Sequence, residues 1–286
     1  MGTIQIDQVG SMNICYSRYT FDYFLEGTAK MGFKSFELWA GSPFLCYYDS
    51  PSNWTKTISE MRKKIDASGL ELYCVTGEQV AYFANLATRD KRVRKGSIEY
   101  FSNLIRAAAE LGSEHYLMSI GQGYYDEPYD NTWNRAIDAA AEVLKVAEKE
   151  KVKIVWEVMP TCTTNLINSY DSAKRVCKDL DSEYSGICVD TSAIWYKNET
   201  LEKYFSDPEL RKKIYHVHLN DGIDDNGWLT WGDGTCDVDV FLNTLAKYDY
   251  DRHMTLELGD PTYAADPNGA ILRGRNHLLK HMPFTV

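Results

Sequence analysis

Eight short apolar runs, each followed by a longer polar or amphipathic stretch, recur along the chain and restrict its fold more than any other feature. They are "GSMNICY" (10–16), "SFELWA" (35–40), "ELYCVT" (71–76), "HYLMSI" (115–120), "KIVWEV" (153–158), "GICVD" (186–190), "YHVHL" (215–219) and "MTLEL" (254–258). Each has the length and the β-branched or aromatic content of a buried strand. The segments between them read as helices. In "DKRVRKGSIEYFSNLIRAAAELG", residues Ile98, Phe101, Ile105, Ala108 and Leu111 share one face, and Gly112 supplies a stop. "TWNRAIDAAAEVLKVAEKEK" has a similar pattern. Eight strands alternating with helices predict a (β/α)8 TIM barrel. A doubly wound sheet is the rival, but it usually brings a glycine-rich phosphate loop, and neither GxGxxG nor GxxxxGK[ST] occurs. No linker or low-complexity stretch interrupts the pattern, so one barrel domain is expected over 1–286.

Charge narrows the partners. With 31 basic and 41 acidic residues the net charge is -10, which disfavours nucleic acid. The basic cluster "RDKRVRKG" (89–96) reads as the exposed start of a helix. No apolar run approaches the ~20 residues of a membrane span, and the N-terminal segment lacks a basic-then-apolar signal. The seven cysteines are odd in number, scattered and without a CxxC pair, as in a protein of reduced thiols. The expectation is a cytoplasmic enzyme acting on a small molecule, with neither membrane nor nucleic acid as partner.

Barrel enzymes carry their chemistry at the carboxyl ends of the strands. The fifth strand ends "VWEVMP" with Glu157, and the sixth ends "CVDTSAIW" with Asp190. The seventh carries His216 and His218, two residues apart and therefore on one side of a strand, before Asn220 and Asp221. The eighth ends "TLELGDP" with Glu257. An ionised carboxylate among apolar neighbours costs several kcal/mol unless compensated, and three converging on one mouth repel each other. A divalent cation resolves both problems. Two Glu, one Asp and one His form a hard, oxygen-rich set suited to Mn²⁺ or Mg²⁺ rather than to a thiolate-type zinc site.

These motifs, with "FKSFELW", "NLATRDKRVRKGSIEYFSNLIRAAAELG", "HVHLND" and "WGDGTCDVDVFLNTL", resemble in order and spacing the xylose isomerase-like barrel superfamily. That superfamily includes tagatose and ribulose 3-epimerases, inosose dehydratases and endonuclease IV relatives. The resemblance spans nearly the whole chain. It implies Glu157, Asp190, His218 and Glu257 as metal ligands, since the second histidine of the HxH pair matches the ligand. The implied metal is Mn²⁺, ahead of Mg²⁺ and Co²⁺. Glu157 and Glu257 match the two carboxylates that exchange a proton next to a sugar carbonyl, so they are also the expected catalytic residues. His216 either supports the metal ligand from behind or faces the substrate, Trp39, Trp195, Asn220 and Trp231 are candidate substrate contacts, and a homo-oligomer, or an assembly with a second small subunit, is the expected state.

Two positions depart from the ketose 3-epimerases that the chain resembles. They carry a histidine three residues after the strand-six aspartate, where Ala193 stands, and an arginine six residues after the metal histidine, where Asp224 stands. Both residues hold or polarise the sugar in those enzymes, so free-ketose 3-epimerisation is disfavoured while the metal set is intact. An epimerase or isomerase acting on a keto sugar or oxo-glycoside is the leading reading. A lyase is the alternative, eliminating a β-substituent from a keto-cyclitol or a 3-oxo-C-glycoside. A non-catalytic binding or scaffold barrel is the reading from another class. A repair endonuclease needs further His and Asp or Glu ligands and a basic face, which six histidines and a charge of -10 do not offer.

Overall fold

A computed structural model describes residues 4–48, 51–78, 83–224 and 226–281. The strands are β1 (Val9–Met12), β2 (Ser35–Ala40), β3 (Glu71–Gly77), β4 (His115–Met118), β5 (Lys153–Val158), β6 (Ser185–Asp190), β7 (Ile214–His218), β8 (Asp221–Ile223), β9 (Asn226–Leu229) and β10 (Met254–Leu256). Eight of them close a parallel barrel in the order β1-β10-β7-β6-β5-β4-β3-β2. This is the expected (β/α)8 TIM barrel, and each of the eight apolar runs supplies one of its strands. β8 and β9 stand apart as an antiparallel hairpin between the seventh and eighth barrel strands.

Alternation along the strands explains the closure. In β5, Ile154, Trp156 and Val158 join the large core between sheet and helices, whereas Val155 belongs to a separate cluster with Cys74, Leu117 and Cys188. Side chains two apart share a face, so Glu157 continues the Val155 face and Asp190 that of Cys188. The same rule sets Thr255 and Glu257 opposite Met254, Leu256 and Leu258, which lie in the outer core. Parallel pairing then aligns the polar positions, with Glu157 beside Cys188 and Asp190 beside His218.

The helices start and stop where local chemistry directs. Lys91–Leu111 begins at Asp90, whose carboxylate accepts the N–H groups of Arg92 and Val93. It ends at Gly112 with φ of 86°, the left-handed conformation that glycine adopts without penalty. "RDKRVRKG" is therefore the first turn of a helix, as read from the sequence. Tyr129–Glu150 carries its apolar stripe (Trp133, Ala136, Ala140, Val143, Ala147) against the barrel.

Asp221 shapes the segment after β7. Its Oδ1 accepts from the N–H of Gly222 and Cys236, and its Oδ2 from the N–H of Gly232 and Gly234. Four backbone donors fold the "WGDGTC" turn back onto the barrel and satisfy both oxygens of this buried carboxyl group. Among the described residues, no helix is long and apolar enough to cross a membrane.

Candidate metal centre

At the carboxyl end of the barrel, Glu157, Asp190, His218 and Glu257 offer ligand atoms that all lie within 4.8 Å of one another. All four are buried, none more than 6% exposed. His218 Nδ1 lies 3.0 Å from Glu157 Oε1, 2.9 Å from Glu257 Oε2 and 4.0 Å from Asp190 Oδ2. Metal–ligand bonds of about 2.0–2.2 Å separate neighbouring donors by roughly 3 Å, so the set fits one divalent ion. Strand order places Glu157 and Glu257 on β5 and immediately after β10, flanking the β6–β7 pair that carries Asp190 and His218. The two glutamates thus approach from opposite sides.

Each ligand is held by its own local structure. Asp190 caps the helix Thr191–Tyr196, accepting from Ala193 N–H at 2.9 Å and from Ser192 Oγ–H at 2.7 Å through Oδ1. Its Oδ2 accepts from Asn220 Nδ2 at 2.8 Å. Asn220 also reaches Glu257, with Nδ2 at 3.5 Å from Oε2, while Glu257 N–H donates to Asn220 Oδ1 at 3.0 Å. Thr191 Oγ1 accepts the Asn220 N–H at 2.8 Å, locking the end of β7 to the end of β6.

Converging charge perturbs every group. Burial, reinforced by the neighbouring Glu257, pushes the Asp190 carboxyl up to about 6. Burial also raises Glu157 and Glu257, against the opposing pull of His218. Burial acts to lower His218, but Cys188 and the carboxylates of Glu257, Glu37 and Glu157 outweigh it and hold the imidazole well above its ordinary value. A cation that replaced the His218 proton would leave all three carboxylates ionised.

Glu37, on β2, is fully buried beneath this set and was missed in the sequence reading. Its Oε2 lies 2.8 Å from His216 Nε2 and 3.1 Å from His218 Nε2, and Thr76 Oγ1 donates to its Oε1. The signal was present: "SFELWA" embeds an acid among apolar residues just as "VWEVMP" and "TLELGDP" do.

The candidate substrate contacts separate into two groups. Trp39 lines a cavity of about 220 Å³ over the centre, together with Ile14, Thr76, Met159, Trp228 and Glu257. Asn13 clamps the Trp39 backbone, accepting its N–H at 2.6 Å and donating to its C=O at 3.1 Å. Trp195 lies in a narrow adjoining crevice with Ala193, Asp224 and Trp228. Both positions that depart from the ketose 3-epimerases therefore border the same crevice. Trp228, which the sequence reading also missed, lies on β9 with φ of 57°.

The other three candidates lie away from the cavity. Trp231 is buried, gives its indole N–H to Leu219 C=O and packs on Phe241, because the Asp221 turn folds it inward. Asn220 is fully buried and braces Asp190 and Glu257. His216 is also fully buried, with Nδ1 3.1 Å from the His253 carbonyl and Nε2 on Glu37 and Thr255. None of the three lines the cavity above the centre.

Comparison with known proteins agrees with this architecture. The sequence pattern of the xylose isomerase-like TIM barrel family matches residues 25–281. The chain is 20% identical over 253 residues to fructoselysine 3-epimerase of Shigella flexneri, spanning 88% of this chain and 90% of that protein. The barrel superposes on D-psicose 3-epimerase of Clostridium cellulolyticum H10, solved with D-tagatose, with a TM-score of 0.77 at 18% identity. That alignment covers 96% of this chain and 97% of that one. The IolI protein, solved with a zinc atom, superposes with a TM-score of 0.76 at 16% identity, over 96% and 99% of the chains. Both superpositions speak to the fold.

Proposed function

From the premise that the chain belongs to the xylose isomerase-like TIM barrel family, we propose that it is a divalent-metal-dependent epimerase or isomerase. Its substrate is a keto sugar or oxo-glycoside, and the reaction begins by removing a proton next to the carbonyl. The observation that carries this reading is the convergence of Glu157, Asp190, His218 and Glu257, with the two glutamates on opposite sides of the other pair. Bound there, Mn²⁺, or failing it Mg²⁺ or Co²⁺, supplies Lewis acidity to the carbonyl and a neighbouring hydroxyl.

The chain's own residues do the rest. In this reading Glu157 and Glu257 remove a proton from one face and return one to the other. Burial raises both in the metal-free fold, and a bound cation would act the other way and keep them ionised. Trp39 and Trp228 offer aromatic faces to the C–H surface of a sugar, while Ile14 and Met159 keep that side of the cavity apolar. Seven free cysteines support a reducing, cytoplasmic setting. Exposed Tyr48, Phe83 and Tyr125 are available as contacts for a homo-oligomer or a second small subunit.

A second reading rests on Ala193 and Asp224. Without the histidine and arginine that hold a free ketose, the same proton abstraction can lead to β-elimination from a keto-cyclitol or 3-oxo-C-glycoside. The test is incubation of Mn²⁺-loaded protein with ketoses and oxo-glycosides in D₂O. Deuterium entering next to the carbonyl, with an epimer as product, supports the proposal. Elimination products favour the lyase. Absence of both exchange and turnover across the panel leaves a binding barrel.

A further inference from the structure

We infer that Glu37 is the residue that sets the orientation and tautomer of His218, and so decides which of its nitrogens faces the metal. This rests on the metal-centre reading above and extends it to a strand outside the ligand set. Glu37 is fully buried, and its ion pairs among the described residues run to His216 and His218, not to Lys or Arg. Among the described residues its partners are imidazoles and a hydroxyl, a costly setting for a buried carboxylate unless those contacts have a use beyond packing.

The geometry supplies that use. His218 presents Nδ1 to Glu157 and Glu257 and Nε2 to Glu37, with Oε2 at 3.1 Å and Oε1 at 3.3 Å. Carboxylates face both nitrogens, but a cation held with Glu157, Asp190 and Glu257 would exclude a proton from Nδ1, and the single ring proton then sits at Nε2, where Glu37 accepts it. That frees the Nδ1 lone pair for the cation and strengthens it, since the carboxylate pulls on the opposite N–H. Glu37 is itself fixed from two sides. Thr76 Oγ1 donates to Oε1, and His216 Nε2 holds Oε2 at 2.8 Å. His216 is in turn anchored through Nδ1, 3.1 Å from the His253 carbonyl. A chain of contacts thus runs from the backbone before β10, through His216 and Glu37, to the metal-facing nitrogen. Glu37 is a positioning residue in this arrangement.

The test compares wild type with Glu37→Gln and Glu37→Leu. Metal-free folding is checked by thermal melts, and Mn²⁺ affinity by the paramagnetic resonance signal of free Mn²⁺. The His218 tautomer is read from imidazole ¹⁵N shifts with diamagnetic Mg²⁺ bound. In wild type a single tautomer protonated at Nε2 is expected. Glu37→Gln keeps an acceptor oxygen but loses the charge, so it should retain that tautomer and bind Mn²⁺ about 10-fold more weakly. Glu37→Leu loses both, and should bind about 100-fold more weakly with the single tautomer gone. Wild-type affinity in both variants overturns the inference, as does wild-type affinity in Glu37→Gln alone should the leucine variant not fold. A wild-type protein that binds no Mn²⁺ instead defeats the metal-centre reading itself.

Discussion

The two ends of the barrel both collect histidines, yet they arrange them in opposite ways. At the amino-terminal end, the Tyr73 ring stacks between His115 at 4.6 Å and His253 at 4.0 Å. Tyr73 gives its hydroxyl proton to the Tyr215 carbonyl at 2.7 Å. Burial, with His216, Lys153 and Arg252 adding positive charge, pushes His115 down to about 3. This histidine is a neutral aromatic plate. At the carboxyl end His218 is fully buried too, but four carboxylates surround it and drive it the other way. Burial alone does not make a functional histidine. Company does, and among the described residues the carboxyl end gathers a set of acids that could hold a cation.

The largest effect that contrast predicts comes from removing ligands at one end. An Asp190→Ala/His218→Ala double variant should show no measurable Mn²⁺ binding by calorimetry. His115→Ala, at the other end, should bind Mn²⁺ like wild type while losing about 1–3 kcal/mol of stability in denaturant unfolding. Equal metal loss from both would erase the distinction between the two ends.

Next in size are the glutamates. Glu157→Gln and Glu257→Gln keep an oxygen ligand but lose basicity, so each should lower net epimerisation of a responding substrate by about 10²–10⁴-fold with metal occupancy verified. The variant that keeps the base on the abstracting face should retain deuterium exchange there. Should one variant be nearly inactive and the other only modestly slowed, the lyase reading gains. Wild-type turnover in both removes them as the acid and base.

His216 sharpens the comparison, because it lies between the two ends and touches both Tyr73 and Glu37. His216→Ala should keep the fold and most metal affinity and slow turnover ~10–100-fold. A variant that only melts earlier, with normal kinetics in the folded fraction, would assign His216 to the stacked end.

The smallest effect is in pH. The Asp190 carboxyl rises from an ordinary 3.8 to about 6 in the metal-free fold. A raised folded value contributes stability that is present below the ordinary value and lost as pH climbs through about 6. Cation binding requires the ionised form, so the melting-temperature gap between Mn²⁺-loaded and metal-free protein should widen from pH 4 to pH 7. A gap that narrows over this range would contradict the assignment of Asp190 as a ligand.

Much of this was legible in the sequence, and the exceptions have physical causes. The strands showed because each is a compact apolar run, and Glu157, Asp190, His218 and Glu257 showed because each interrupts one near its end. Glu37 carries the same mark inside "SFELWA" but sits on the second strand, away from the four consecutive strands whose ends carry the other ligand candidates. Its relevance depends on barrel closure, which brings β2 across the interior to His216 and His218. Trp231 reads as a mouth residue because it follows a strand. Only the backbone donors gathered by Asp221 reveal that the segment turns inward. Trp228 reaches the cavity through a hairpin and a left-handed backbone that no periodicity announces.

One divalent ion at the carboxyl end of the barrel, between Glu157, Asp190, His218 and Glu257, is the proposal on which the rest depends. Its most direct test is calorimetric titration of Mn²⁺ into the metal-free wild-type protein at pH 7, with elemental analysis of the saturated product. One equivalent per chain, with protons released on binding, is the predicted result. Absence of saturable binding, or saturation that persists unchanged in the Asp190→Ala/His218→Ala variant, would contradict it.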